Sequence, residues 1–331
     1  MPRLVTEEHA NLIHYTSASG LAGILSSQSL WATHSSFLND SQEISLFFER
    51  RLGQLLETAV REELASSPDL QILPQFARTP REAEETIVKY AREMADAIRT
   101  TTMKFNEPYI ASFCTAKTQR ALDDGLLSQW RAYGKDGGYA IVFDAMGLQS
   151  LLEVEARDYW YQHVQWGDVH YYQDELQIET RAEEIEEAEQ GLKNAIRGFI
   201  KHPSSEELEP TFEIVATLSC LYKHWGFHEE REVRIVAVPP NRELVTQGEL
   251  TSEKRPRKTP KTFVRAGCPV PYIELFGRAL PGEPARKLPI TRILVGPHVQ
   301  KDSRKRAVEV MLEASDINAE VVVSKIPYTG T

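Results

Sequence analysis

His228-Glu229-Glu230-Arg231-Glu232-Val233-Arg234-Ile235-Val236 is the stretch on which the reading of this chain turns. Its second half, continued by Ala237 and Val238, is rich in β-branched residues and reads as a strand. Successive strand side chains alternate between faces. A strand from about Glu230 therefore sends Glu230, Glu232 and Arg234 one way and Arg231, Val233 and Ile235 the other. Three charges on one face mark either a solvated ladder or a polar cleft. In a cleft, a carboxylate held beside a guanidinium stays ionised and suits a ribose hydroxyl or a developing cation.

Working outward, further strand-like runs occupy 12–16, 109–115, 138–143, 290–295 and 319–324, and the last two frame a helix over 302–314. Two charged blocks between the strands have helical spacing. The first covers about 41–104, with a break at Ser66-Ser67-Pro68, and the second about 174–221, with a break at His202-Pro203. Strands at both ends and in the middle favour one α+β domain over residues 1–331, a central mixed, twisted sheet with long helical insertions, rather than two consecutive domains.

Composition narrows the class. Hydrophobic residues are 41% and charged residues 26% of the 331, which excludes a mainly disordered, collagen-like or coiled-coil chain. A net charge of −10 gives no whole-molecule attraction to nucleic acid or anionic membrane. Cys114, Cys220 and Cys268 form no CxxC pair, which fits a reducing compartment. No secretory h-region and no run of about 20 apolar residues is present, so the expectation is cytoplasmic, without membrane. The run Lys254-Arg255-Pro256-Arg257-Lys258-Thr259-Pro260-Lys261 reads as an exposed basic loop, with phosphate contact the sharper alternative.

Several other residues carry chemistry. His14 and Thr16 end the first strand on one face, where a neutral imidazole beside a hydroxyl suits a ribose diol as well as a local carbonyl. Ser17 or Ser19 is placed to cap the next helix. Asn39, in Phe37-Leu38-Asn39-Asp40, offers a pocket both a donor and an acceptor, although a turn and a helix cap explain the stretch equally. Ser112 and Cys114 share a strand face, and Trp130 and Tyr133 share a helix side, either as core or as a stacking platform. His224 and His228 have helical i,i+4 spacing, but Gly226 intervenes and no HExxH accompanies them, so no metal is expected. P-loop, GxGxxG and GxSxG fingerprints are absent.

Together these segments resemble a bacterial family known as domain of unknown function 2971. The resemblance rests on His14-Tyr15, Leu30-Trp31-Ala32, Phe37-x-Asn39-Asp40-x-x-Glu43, Ser112-Phe113, Ser128-x-Trp130-x-x-Tyr133, Gly138-Tyr139-x-Ile141-x-Phe143, residues 223–234 and Ile293-x-Val295-Gly296. At superfamily level the order His14-x-Thr16, Ser112 with Tyr133, then Glu230-x-Glu232 is similar to ADP-ribosyltransferases, although Ser112-Phe113-Cys114 departs from Ser-Thr-Ser. That similarity implies a split sheet and NAD as substrate, with His14 on a ribose and Tyr133 or Trp130 near the nicotinamide. It puts Glu232 on the nicotinamide-ribose 2′-hydroxyl and Glu230 on the acceptor, with Thr16, Asn39, Ser112 and Arg234 completing the pocket. The implied function is an enzyme cleaving the nicotinamide–ribose bond, a toxin or defence effector acting on protein or nucleic acid. The alternative is a non-catalytic protein that binds a nucleotide-like ligand.

Overall fold

The structure, a computed structural model, describes residues 5–38, 44, 47–66, 79–105, 107–133, 138–172, 183–241, 254–277 and 286–327. The strands are β1 (Asn11–Thr16), β2 (Ser29–His34), β3 (Tyr109–Cys114), β4 (Tyr139–Asp144), β5 (His163–Asp168), β6 (His170–Tyr172), β7 (Tyr222–His224), β8 (Glu232–Val238), β9 (Lys261–Arg265), β10 (Cys268–Phe276), β11 (Ile290–Val295) and β12 (Glu320–Val323). Ten of them form one mixed sheet in the order β12-β11-β4-β1-β3-β2-β10-β9, with β8 on β3 and β5 on β8; β6 and β7 form a parallel pair apart from it. The molecule is an α+β fold, as its sequence pattern implies.

A branch interrupts the sheet at β3. Antiparallel β8 pairs with β3 over its full length, from Tyr109↔Ala237 to Cys114↔Glu232. The opposite edge of β3 is shared. It meets β1 at Ile13↔Cys114 and β2 at Thr33↔Ile110 and His34↔Tyr109. The two arms part beside Ser112, so the sheet is split.

Strand alternation gives each face its own cover. Leu12, Ile141, Phe143, Phe113, Val233, Ile235, Ile273 and Ile293 form one apolar core. Against it pack helices Ala18–Ser27, Ala145–Asp158 and Lys301–Ala314, through Leu21, Leu148 and Leu312 among others. Each fully buried side chain of this size contributes about 1.5–3 kcal/mol. On the other face, Ile110 and Val236 join Leu56, Val60, Ile98, Leu192, Ile196 and Leu218 from helices Gly53–Ser66, Pro80–Phe105, Glu183–Lys201 and Ser205–Leu221. These four helices fall within the two segments read as insertions. Among the described residues no helix is long and apolar enough to cross a membrane.

Local chemistry sets the element ends. Ser17 caps the second helix, its hydroxyl accepting the Gly20 amide at 3.1 Å. Asp144 caps the helix that follows β4 by accepting from Gly147 at 2.8 Å.

The basic run departs from expectation. Lys254 and Arg255 are exposed, but Lys258 is buried. Its ammonium lies 2.6 Å from buried Glu155 and 3.6 Å from the centre of the Tyr159 ring. Arg255 donates to the Ala156 carbonyl at 3.0 Å and Trp160 N–H to the Pro256 carbonyl at 2.9 Å. The segment docks on the end of helix Ala145–Asp158 because an unpaired carboxylate at Glu155 would be costly.

Candidate functional site

β3 is the axis of the site. Where β1 and β2 diverge, the Ser112 carbonyl is taken by an imidazole, His14 Nδ1 donating at 2.9 Å. A carbonyl only accepts, so Nδ1 carries the proton and Nε2 the lone pair. Burial lowers the His14 pKa from its ordinary value, which keeps the ring neutral. Its edge meets Phe113 at 5.9 Å between centroids.

Ser112 sends its side chain to the other face, toward the Glu232 carboxylate. Ser112 lies opposite Arg234, and Cys114 opposite Glu232, so all four side chains share that face. Arg234 grips Glu232 with two donors, Nε to Oε1 at 2.7 Å and Nη2 to Oε2 at 2.9 Å. Its Nη1 reaches the Cys220 carbonyl at 2.6 Å, at the C-terminal end of helix Ser205–Leu221 where a cation is favoured. Lys223, just before the turn into β8, donates to Glu232 Oε2 at 2.9 Å and to Glu230 at 2.8 Å. Glu232, Arg234 and Lys223 are 4%, 2% and 7% exposed, so this is a buried network and not a solvated ladder.

Burial alone would raise the Glu232 pKa. Arg234, Lys223 and the Ser112 hydroxyl outweigh it and hold the carboxyl at about 2, well below its usual range. Three N–H donors from two cations meet its two oxygens, so most of its acceptor capacity is taken. Glu230 differs: its side chain is 23% exposed. It lies in a tight turn, Trp225–Glu230, and Arg231 follows with φ of +46°. The strand therefore starts at Glu232 and not at Glu230, which corrects the expected shared face. Lys223, rather than strand alternation, joins the two carboxylates. The strained Arg231 peptide is held by Thr115, whose amide and hydroxyl both donate to its carbonyl, at 3.0 and 3.1 Å.

Tyr133 stands at the rim, 43% exposed. Burial of its phenol and the charges of Glu232 and Glu230 push its pKa to about 12, so it stays protonated. The Cys114 thiol is also pushed up, first by burial and then by the same carboxylates. Phe227, 37% exposed, lies 4.8 Å from the Lys223 ammonium.

Other expected residues lie elsewhere. Trp130 is a core residue, 1% exposed, its indole N–H donating to the Asp124 carbonyl at 2.9 Å and its ring edge-on to Tyr15. It offers no stacking face at the rim. Thr16 follows Leu12 and His14 to the opposite face from Glu232 and packs on Gly20 at the start of the next helix. Asn39 lies outside the described residues. His224 and His228 serve their own turn: the former accepts from Gly226, and the latter stacks on Trp225 at 3.9 Å between centroids. Elsewhere, Glu8, His9 and Asp168 place ligand-type atoms within 4.8 Å of one another, with His9 bonded to Asp168 at 2.8 Å.

Lys223 and Tyr171, whose hydroxyl accepts the Glu232 amide at 2.8 Å, were not singled out from the sequence. Neither stands at a spacing that points to Glu232. No curated protein and no solved structure matches the chain. Residues 129–235 match the model of the family described as Protein of unknown function (DUF2971), a segment that takes in Trp130, Tyr133, Lys223, Glu230, Glu232 and Arg234.

Proposed function

We propose that this site cleaves the nicotinamide–ribose bond of NAD in the manner of an ADP-ribosyltransferase. One observation carries the reading. Ser112 joins the two halves of the motif across the split sheet, its carbonyl bonded to His14 and its side chain on the face of Glu232 and Arg234. In the proposed reaction the ribose C1′–nitrogen bond breaks and nicotinamide leaves with the electron pair. Positive charge develops on the ribose, and an adjacent carboxylate stabilises it electrostatically. Glu232, held by Arg234 and Lys223, fixes the local charge. Glu230, turned toward solvent, contacts substrate and takes the proton of the attacking acceptor or water. His14, on the opposite face, holds the Ser112 carbonyl and so positions β3 beside Glu232. These roles place the substrate-contacting carboxylate at Glu230, where the motif resemblance implies Glu232.

The clamping of Glu232 by Arg234 and Lys223 also favours a second reading, a protein that binds a nucleotide-like ligand without turnover. Labelled NAD separates the two. With wild type, nicotinamide release or transfer of label is expected; Glu230→Gln should abolish it while leaving NAD binding by calorimetry intact. NAD binding with no release by wild type would establish the second reading. Equal release by wild type, Glu230→Gln and His14→Ala would overturn the site assignment altogether.

A further inference from the structure

We infer that the sheet face formed by β2, β10 and β9 binds single-stranded nucleic acid. Cross-strand pairs put Trp31 opposite Glu274, Thr33 opposite Tyr272, Tyr272 opposite Lys261 and Val270 opposite Phe263. Alternation then places Trp31, Tyr272, Lys261, Phe263 and Arg265 on one face. Through Thr33↔Ile110 this is the face of Ser112 and Glu232. The β2–β3 register, extended past the split, would set Trp31 against Ser112.

The aromatic residues form a supported platform. Trp31 stacks on Tyr272 with centroids 4.1 Å apart and planes 27° apart, and Phe263 lies 5.3 Å from Trp31 and 5.7 Å from Tyr272. Tyr272 is buried at 6%, whereas Trp31 is 42% exposed. The indole is therefore held by two neighbouring rings yet remains partly exposed, an arrangement on which a nucleobase stacks without sequence preference.

Cations alternate with the aromatic ring along the edge strand, as Lys261-x-Phe263-x-Arg265. Arg265 donates to the Phe37 carbonyl, a neutral partner, and no carboxylate pairs with it among the described residues. Lys261 is paired with Glu274 at 2.7 Å. Cation, ring and cation at strand spacing beside a half-exposed indole match bases and phosphates of a strand whose bases are unpaired, and not a duplex whose bases are stacked inside. In a chain of net charge −10, such a surface is local and draws little on long-range attraction.

Anisotropy of a fluorescein-labelled oligothymidylate, titrated with the full chain at low salt and without NAD, tests this independently of any turnover. Saturable binding is expected, with log K falling against log salt at a slope of about −1.4 for two phosphate contacts. Trp31→Ala should weaken binding about 5- to 150-fold. Arg265→Gln should weaken it and flatten the slope by about 0.7. Glu274→Gln, which releases Lys261, should tighten it, so the proposal does not depend on one variant. No binding at low salt would overturn the inference. So would unchanged affinity in a folded Trp31→Ala, or duplex binding as tight as the single strand. Light scattering showing that Trp31→Ala dissociates a dimer, with oligonucleotide binding unaltered, would assign the face to a second copy of the chain instead.

Discussion

Glu232→Gln removes one charge from a site that holds two cations within 2.9 Å of it. The carboxyl sits at about 2 in the folded protein, against an ordinary 4.5. At about 1.4 kcal/mol per pH unit that difference amounts to about 3 kcal/mol of stability at neutral pH. The figure agrees with the cost of about 3–5 kcal/mol for breaking one partner out of a buried pair. Unfolding entropy of about 2.1 cal/mol/K per residue, over 331 residues, converts it to a fall of roughly 4–5 °C in Tm. Because the folded pKa is depressed, the stabilisation is complete above pH 4.5 and is lost as pH falls toward about 2. Denaturant unfolding of wild type and variant should therefore show a gap of about 3 kcal/mol at pH 7 that narrows steadily below pH 4.5. Other acid-labile groups titrate in both proteins and cancel in the difference. A gap that is absent at pH 7, or constant down to about pH 3, would refute the picture of an ionised Glu232 clamped by Arg234 and Lys223.

Three further outcomes follow from the same structure. Buried Cys114, with its thiol pKa raised, should resist iodoacetamide in the native protein while exposed Cys268 reacts; mass spectrometry of the alkylated peptides decides it. Gly296→Ala should destabilise the fold by about 1–3 kcal/mol in thermal unfolding, since an added Cβ meets the Gly138 carbonyl at 2.6 Å and the Trp130 ring at 3.0 Å. Lys258→Met should cost about 3–5 kcal/mol by leaving Glu155 without its counter-charge, and Lys258→Met/Glu155→Gln should recover much of that loss.

The strands rich in β-branched residues were legible almost to the residue. Glu232–Val238 and Ile290–Val295 coincide with β8 and β11 because both lie between apolar layers. β10 was not legible, since Pro269 and Pro271 argue against a strand. They are tolerated because β2 pairs β10 only from Tyr272 onward, leaving that edge without a ladder to interrupt. At the site, the alternation of Glu232 with Arg234 could be read from the chain, but their burial could not. Burial depends on Lys223 and on the Cys220 carbonyl at a helix end, neither in register with them. The left-handed turn at Arg231 was hidden for a similar reason. A non-glycine residue there announces no positive φ, and only the Thr115 bonds from another strand hold it. Trp31 was visible as a motif residue, yet its partners Tyr272 and Phe263 lie on strands that had not been identified.

The shared edge of β3 has a consequence for how the chain is made. Its other edge waits for β8, so about 120 residues must follow Cys114 before Val238 leaves the ribosome, some 6–25 s at ordinary rates of synthesis. During that interval a short, mostly apolar strand presents an unfilled ladder, and pairings this distant in sequence are slow to close. Helices Gly53–Ser66 and Pro80–Phe105, complete before β3 emerges and packed against Ile110, are in position to shelter it until its last partner arrives.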